Sequence, residues 1–182
     1  MKNVSRLGGC CAALLALVTF ASTASAAEPS DDGPRIEVVD VAGVQVARQA
    51  SAGTRPIIAS APAVAVAAAG VCGAGYTIST GAARYGRYGT AYTWTNGRTT
   101  GGRYYDKPIC AVFFNDTGAA HSMGVRLKDN YTATPDVEDF GTYSSYAGPV
   151  YQNKGYCGRA YSYMKVGNAV VVDNYLAVGT CN

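Results

Sequence analysis

Histidine is almost missing from this sequence: His121 is the single copy among 182 residues. A hydrolase triad would have to be built on it, with a distant serine and a carboxylate. No G-x-S-x-G elbow occurs to present that serine. His121 follows Asp116-Thr117-Gly118-Ala119-Ala120, a turn or strand start, where a surface histidine is the simpler reading. No C-x-x-C pair occurs either, which argues against a structural zinc site. Gly-rich phosphate loops and cofactor motifs are lacking, and no segment carries a convincing helical stripe. Charge of one sign is weak. The net charge is +3 over the whole chain, far from the concentrated charge that nucleic-acid binding usually shows.

What is present begins with an export signal. Lys2 and Arg6 precede the apolar run CAALLALVTFA, residues 11–21, and Ala24-Ser25-Ala26 supplies small residues for cleavage. The run is too short to span a bilayer. Residues 1–26 are therefore expected to leave as a signal peptide, with no stable membrane insertion afterwards. Cys10 and Cys11 leave with it. Cys72, Cys110, Cys157 and Cys181 remain, an even set that in an oxidising location reads as a disulfide framework. Three connectivities are possible, and pairing of neighbours is the favoured one. Each such bridge stabilises by about 3–4 kcal/mol in the chain-entropy model.

Residues 27–69 contain no cysteine and no aromatic residue, and much Ala, Val, Ser and Pro. Small side chains bury little apolar area of their own to offset ordering entropy. The segment is expected to be a flexible pro-segment or linker, with a strand or hairpin feasible over Ile36 to Val46. Ala67-Ala68-Ala69 is a candidate second processing point. Residues 70–182 differ. All fourteen tyrosines and the one tryptophan fall there. Met123, Val125 and Leu127 alternate with Gly124, Arg126 and Lys128, the period of a half-buried strand. ICAVFF, residues 109–114, suits a central strand. Tyr92-Thr93-Trp94-Thr95 runs into Asn96-Gly97, a hairpin signal. AVVV (169–172) and YLAV (175–178) suit two closing strands. Turns recur at sandwich or barrel rhythm, so the expected fold is all-β, an antiparallel sandwich or barrel of about 110 residues.

Two stretches are candidates for more than structure. Arg84-Tyr85-Gly86-Arg87-Tyr88, with Tyr104 and Tyr105 beside Arg103, interleaves cations and rings. That pattern suits sugars or anionic polymers, although a solvated Gly-rich loop explains it too. Asp136, Glu138 and Asp139 cluster after Pro135. They read as a solvated acidic loop before they read as a glycosidase pair or a calcium site. No cofactor and no metal is expected.

GTYSSYAGPVY, residues 141–151, holds Tyr143, Tyr146 and Tyr151 around Gly148-Pro149. Pro149 lacks a backbone N–H, so a kinked edge strand is expected. The pattern Asp139-x-Gly141-x-Tyr143-x-x-Tyr146-Ala147-Gly148-Pro149-Val150-Tyr151 resembles the central motif of the spore-associated protein A family, small secreted proteins of filamentous spore-forming bacteria. Cys72-Gly73-Ala74-Gly75-Tyr76, Gly89-Thr90-x-Tyr92, Cys110, Gly155-x-Cys157 and Cys181 fit the same frame, over residues 71–182. The segment 99–108 is longer than that pattern, and a Tyr-rich stretch follows Cys157 where a Trp is expected. The resemblance implies association with the outer surface of spores or cells, with wall or envelope polymers as partners. It implies no catalytic residues. Two alternatives are a polysaccharide- or anionic-polymer-binding module and a small secreted inhibitor working through the 99–108 loop.

Overall fold

The computed structural model describes residues 35–181; the expected signal peptide, 1–26, lies outside them. Two open sheets face each other, and two helices cover the far side of one. The fold is thus a sandwich rather than a closed barrel. The first sheet, sheet A, has the order β1 (Val38–Val41), β2 (Val44–Ala47), β3 (Ile78–Tyr85), β4 (Gly89–Thr95), β5 (Ile109–Asn115), β8 (Tyr146–Gln152). The second, sheet B, runs β10 (Ala169–Ala177), β9 (Arg159–Val166), β6 (His121–Lys128), β7 (Val137–Tyr143). Every pairing is antiparallel except β2 with β3.

That one parallel pair explains the helices. Parallel neighbours need a crossover connection, and α1 (Thr54–Ser60) with α2 (Pro62–Cys72) supplies it. Residues 36–69 are therefore not the flexible segment their composition suggests. Ile36 to Val46 does contain a hairpin, β1–β2. α2 is apolar all round and so shows no stripe to read. Its alanines Ala65 and Ala68 are fully buried because large partners come to them: Tyr92 and Trp94 of β4 and Val112 of β5. Small side chains here permit close approach, and the buried area is contributed by the sheet. Cys72, at the end of α2, is bonded to Cys110 of β5, and Cys157 to Cys181, the neighbour pairing. α1 and α2 are bent by 107° at their junction, and no single described helix is long and apolar enough to cross a membrane.

Where β2 ends, α1 takes over the edge of β3. A bulge between Ser79 and Gly81 interrupts the β3 ladder. There Ser51 N donates to Thr80 O (3.2 Å) and Ala82 N to the Thr54 hydroxyl (3.0 Å). The backbone groups Thr80 O and Ala82 N at the bulge are thus satisfied by the crossover.

The strand periods sort the two cores. Ile109, Ala111 and Phe113 of β5 face Met123, Val125 and Leu127 of β6 and Met164 of β9 between the sheets. Cys110 and Val112 point the other way, under the helices. β5 is buried on both faces, which is why it reads as an unbroken apolar run. AVVV and the first three residues of YLAV lie on one strand, β10, with a bulge between Val170 and Val172. Asn96-Gly97 closes no two-residue hairpin: β4 and β5 are joined by residues 96–108.

Candidate functional site

The arginine–tyrosine residues singled out above do not converge. Arg84, Tyr85, Arg87 and Tyr88 surround the β3–β4 turn. Tyr104 and Tyr105 lie in the β4–β5 connection. Gly89 pairs with Asn115 and Thr95 with Ile109, so the two groups sit at opposite ends of a seven-residue strand, about 20 Å apart. Tyr85 turns into the inter-sheet core, edge-on to Phe113 at 5.8 Å, and burial raises the pKa of its hydroxyl. Tyr88 also packs against that core, under the Arg87 guanidinium at 5.4 Å. Tyr104 is edge-on to buried Tyr156 at 5.7 Å. It lines a cleft of about 290 Å³ with Arg35, Glu37 and Gln49. Tyr105 accepts a hydrogen bond from Arg103 at 2.8 Å. The 99–108 loop is folded down rather than protruding. Thr100 N donates to Asp106 O and Arg103 N to the Asp106 carboxylate. Tyr131 donates to the same carboxylate at 2.5 Å, and that bond pushes the Tyr131 pKa up to about 12.

The Asp139–Tyr151 motif is the corner that joins the sheets. β7 is the edge of sheet B and β8 the edge of sheet A, so the hairpin between them crosses from one to the other. Asp139 holds that crossing. Its carboxylate accepts the Tyr143 hydroxyl at 2.5 Å and the Gly148 N–H at 2.7 Å. Gly148 has φ +96°, and a Cβ there would meet Ala111 O at 2.8 Å, so glycine is required. Gly148–Pro149 is a cis bond, and β8 is the kinked edge strand expected. Gly141 lies beneath the Tyr143 ring, and Tyr146 packs on Phe114 at 5.4 Å. Tyr151 donates to Cys72 O at 3.2 Å and packs on Tyr76 at 5.6 Å, covering the Cys72–Cys110 bridge.

His121 is half-buried opposite Tyr143, and its imidazole has no hydrogen-bond partner among the described residues. Asp136 and Glu138 are held by cations: Lys128 on Asp136 at 3.0 Å and Arg126 on Glu138 at 2.6 Å. Among the described residues, no three His, Cys, Asp or Glu side chains form a group suited to a metal ion.

The feature that sequence reasoning missed is the outer face of sheet B, which no described element covers. Phe140, Tyr161, Tyr163 and Tyr175 form one surface there. Phe140 and Tyr175 are 41% and 58% exposed, high values for such large rings. Register assembles them. Gly124 pairs with Phe140 on one side and Tyr163 on the other. Arg126 pairs with Glu138 and Tyr161, and Tyr161 with Tyr175. Gly124 is the space for the Phe140 ring: a Cβ there would clash with the ring. Phe140 therefore bends flat over β6 and reaches Tyr161 at 6.4 Å and Tyr163 at 6.3 Å. Tyr161 continues the row to Tyr163 at 6.5 Å and Tyr175 at 4.9 Å.

Cations and a carboxylate fix the rings. The Arg126 guanidinium lies 5.5 Å from the Phe140 ring and 5.7 Å from that of Tyr161. Arg159 lies 4.8 Å from the Tyr175 ring. The Tyr161 hydroxyl donates to Asp173 at 2.8 Å. Burial and then that bond push its pKa up to about 12. Neither a family model, nor a curated protein, nor a solved structure matches the chain. The reading of this face rests on its own chemistry. The legible signal was Tyr161 and Tyr163 at alternate positions of β9, between Ala160, Ser162 and Met164. Both rings had to lie on the face away from the core.

Proposed function

We propose that this is a secreted, non-enzymatic protein of the spore or cell surface, held there by the aromatic face of sheet B. The observation that carries the reading is the contrast between the two outer faces of the sandwich. The face of sheet A is closed by α1 and α2. The face of sheet B carries four rings and two arginines, with Phe140 and Tyr175 exposed and Tyr161 and Tyr163 half-buried between them. Contiguous exposed apolar patches mark interaction sites. The two disulfides suit an oxidising exterior. The resemblance of the Asp139–Tyr151 corner to the spore-associated protein A family supports the location.

The test is fractionation of the producing culture into spores, vegetative cells and medium, with immunodetection in each. Enrichment in the spore or cell-surface wash is expected, with release into the medium on Phe140→Ala/Tyr175→Ala double substitution. Recovery of the unaltered protein solely from the medium overturns the reading.

A further inference from the structure

Resting on that reading, we propose that the outer face of sheet B is a binding site for a neutral, extended, β-linked polysaccharide, with Phe140, Tyr161, Tyr163 and Tyr175 as the stacking platform.

Ring geometry is the first argument. The aromatic pairs that include a fully buried ring meet edge-on: Tyr85–Phe113 at 73°, Tyr104–Tyr156 at 85°, Tyr92–Phe114 at 88°, whereas the partly exposed pairs of sheet A, Phe114–Tyr146 and Tyr76–Tyr151, are tilted at 38° and 55°. Edge-on contact matches the positive rim of one ring to the negative face of another. On the outer face of sheet B the planes are closer to parallel. Tyr161–Tyr163 lie at 28°, Phe140–Tyr161 at 33°, Tyr161–Tyr175 at 43° and Phe140–Tyr163 at 49°. These rings form a row, with the Arg126 guanidinium over Phe140 and Tyr161 and that of Arg159 over Tyr175, and a ligand would stack on the ring faces that the guanidiniums leave. The side of a pyranose with equatorial substituents is a sheet of C–H groups, polarised positive, and it complements an aromatic face. Chains of such sugars in β-linkage run as flat ribbons. The row of rings spans four strands, about 14 Å across at the usual strand spacing. A coiled α-glucan or a small free sugar asks for a concave site, and this face is not one.

Charge is the second argument, and it selects a neutral chain. The face carries four cations, Arg126, Lys128, Arg159 and Lys165, and three carboxylates, Asp136, Glu138 and Asp173. Arg126 and Lys128 are already bound by Glu138 and Asp136. Arg159 and Lys165 have no carboxylate partner among the described residues, and they stand six residues apart on β9. That separation is about 20 Å, too far to converge on one phosphate, sulfate or uronate. Arg126 and Arg159, which lie over the rings of Phe140, Tyr161 and Tyr175, instead serve as donors to sugar hydroxyls.

The experiment is depletion of the purified mature protein by suspended cellulose and chitin, with heparin-agarose as the polyanionic comparison. It is run at low salt and at about 1 M NaCl, where the Debye length falls to roughly 3 Å. Binding to cellulose or chitin that survives high salt is expected. Phe140→Ala and Tyr175→Ala are each expected to weaken it about tenfold. Arg87→Ala and Tyr105→Ala are expected to leave it unchanged. Circular dichroism and melting of each variant confirm that it is folded. No depletion, depletion insensitive to both ring variants, or salt-sensitive binding to heparin alone overturns the proposal. So does sedimentation showing a dimer that Tyr175→Ala dissociates, because a second copy then owns the face. A protein still found on spores but blind to cellulose and chitin defeats this proposal and leaves the surface reading standing. Glycan binding without surface retention does the reverse.

Discussion

Ile58→Ala tests whether the crossover segment belongs to the fold. Ile58 is fully buried between α1 and sheet A, in the core that contains Tyr92, Trp94 and Val112. The substitution removes three carbons, worth about 0.8 kcal/mol each on transfer to water, or roughly 2.4 kcal/mol. The residual cavity adds to this, and measured Ile→Ala costs in cores run about 2–5 kcal/mol. Domains of this kind have total stabilities of about 5–15 kcal/mol, so the loss is a large share. With a urea dependence of about 2 kcal/mol per M, the unfolding midpoint should drop by about 1–2 M with little change in slope. The assay is urea denaturation of the disulfide-intact protein followed by Trp94 fluorescence. Val66→Ala on α2 is the control, since Val66 is 57% exposed and surface changes usually stay within about 0.5 kcal/mol. A flexible or removable segment predicts equal, negligible shifts for both variants. An Ile58→Ala midpoint no lower than that of Val66→Ala would refute the reasoning.

Four further outcomes follow from the same structure. Removal of residues 1–69 should give a chain that aggregates or fails to fold cooperatively, because it uncovers Tyr92, Trp94 and Val112 and removes β2, the parallel partner of β3; a soluble product melting like the full chain would contradict this. Asp139→Ala should destabilise by about 2–4 kcal/mol through loss of two charge-assisted hydrogen bonds, with Asp139→Asn costing less; thermal melting reads both. Gly124→Ala should expel the Phe140 ring from the sheet face and weaken glycan depletion as Phe140→Ala does, while the melting temperature changes little. For Asp106, burial pushes the carboxyl pKa up, but the Tyr131 hydroxyl, the Arg103 N–H and the charges of Lys154 and Arg103 outweigh it, leaving the pKa below its ordinary 3.8. A depressed folded pKa means stability fully present above the unfolded value and lost as pH falls through the folded one. The wild-type melting temperature should therefore fall more steeply below about pH 4 than that of Asp106→Asn; parallel curves would rule the effect out.

The corner motif shows where sequence reasoning works and where it stops. Pro149 announced an edge strand because a missing N–H is a local fact. That Asp139 binds both Tyr143 and Gly148 across two sheets is a fact of tertiary position. The Arg84–Tyr88 and Tyr104–Tyr105 stretches looked like one site because composition has no direction. Strand pairing sends them to opposite ends of β4. The crossover segment was misread because its burial is supplied by residues far along the chain.

By itself the sequence determined the all-β class, the central place of β5, the inward face of β6 and the count of bridging cysteines. Those follow from short-range periodicity and chemistry, which any stretch of a few residues carries. Tertiary structure alone decided that residues 36–69 complete sheet A, that the hairpin at 137–152 links two sheets, and that Phe140, Tyr161, Tyr163 and Tyr175 share one exposed face. Each of these depends on register between strands distant in sequence, and register is set by which cores must be filled from both sides at once.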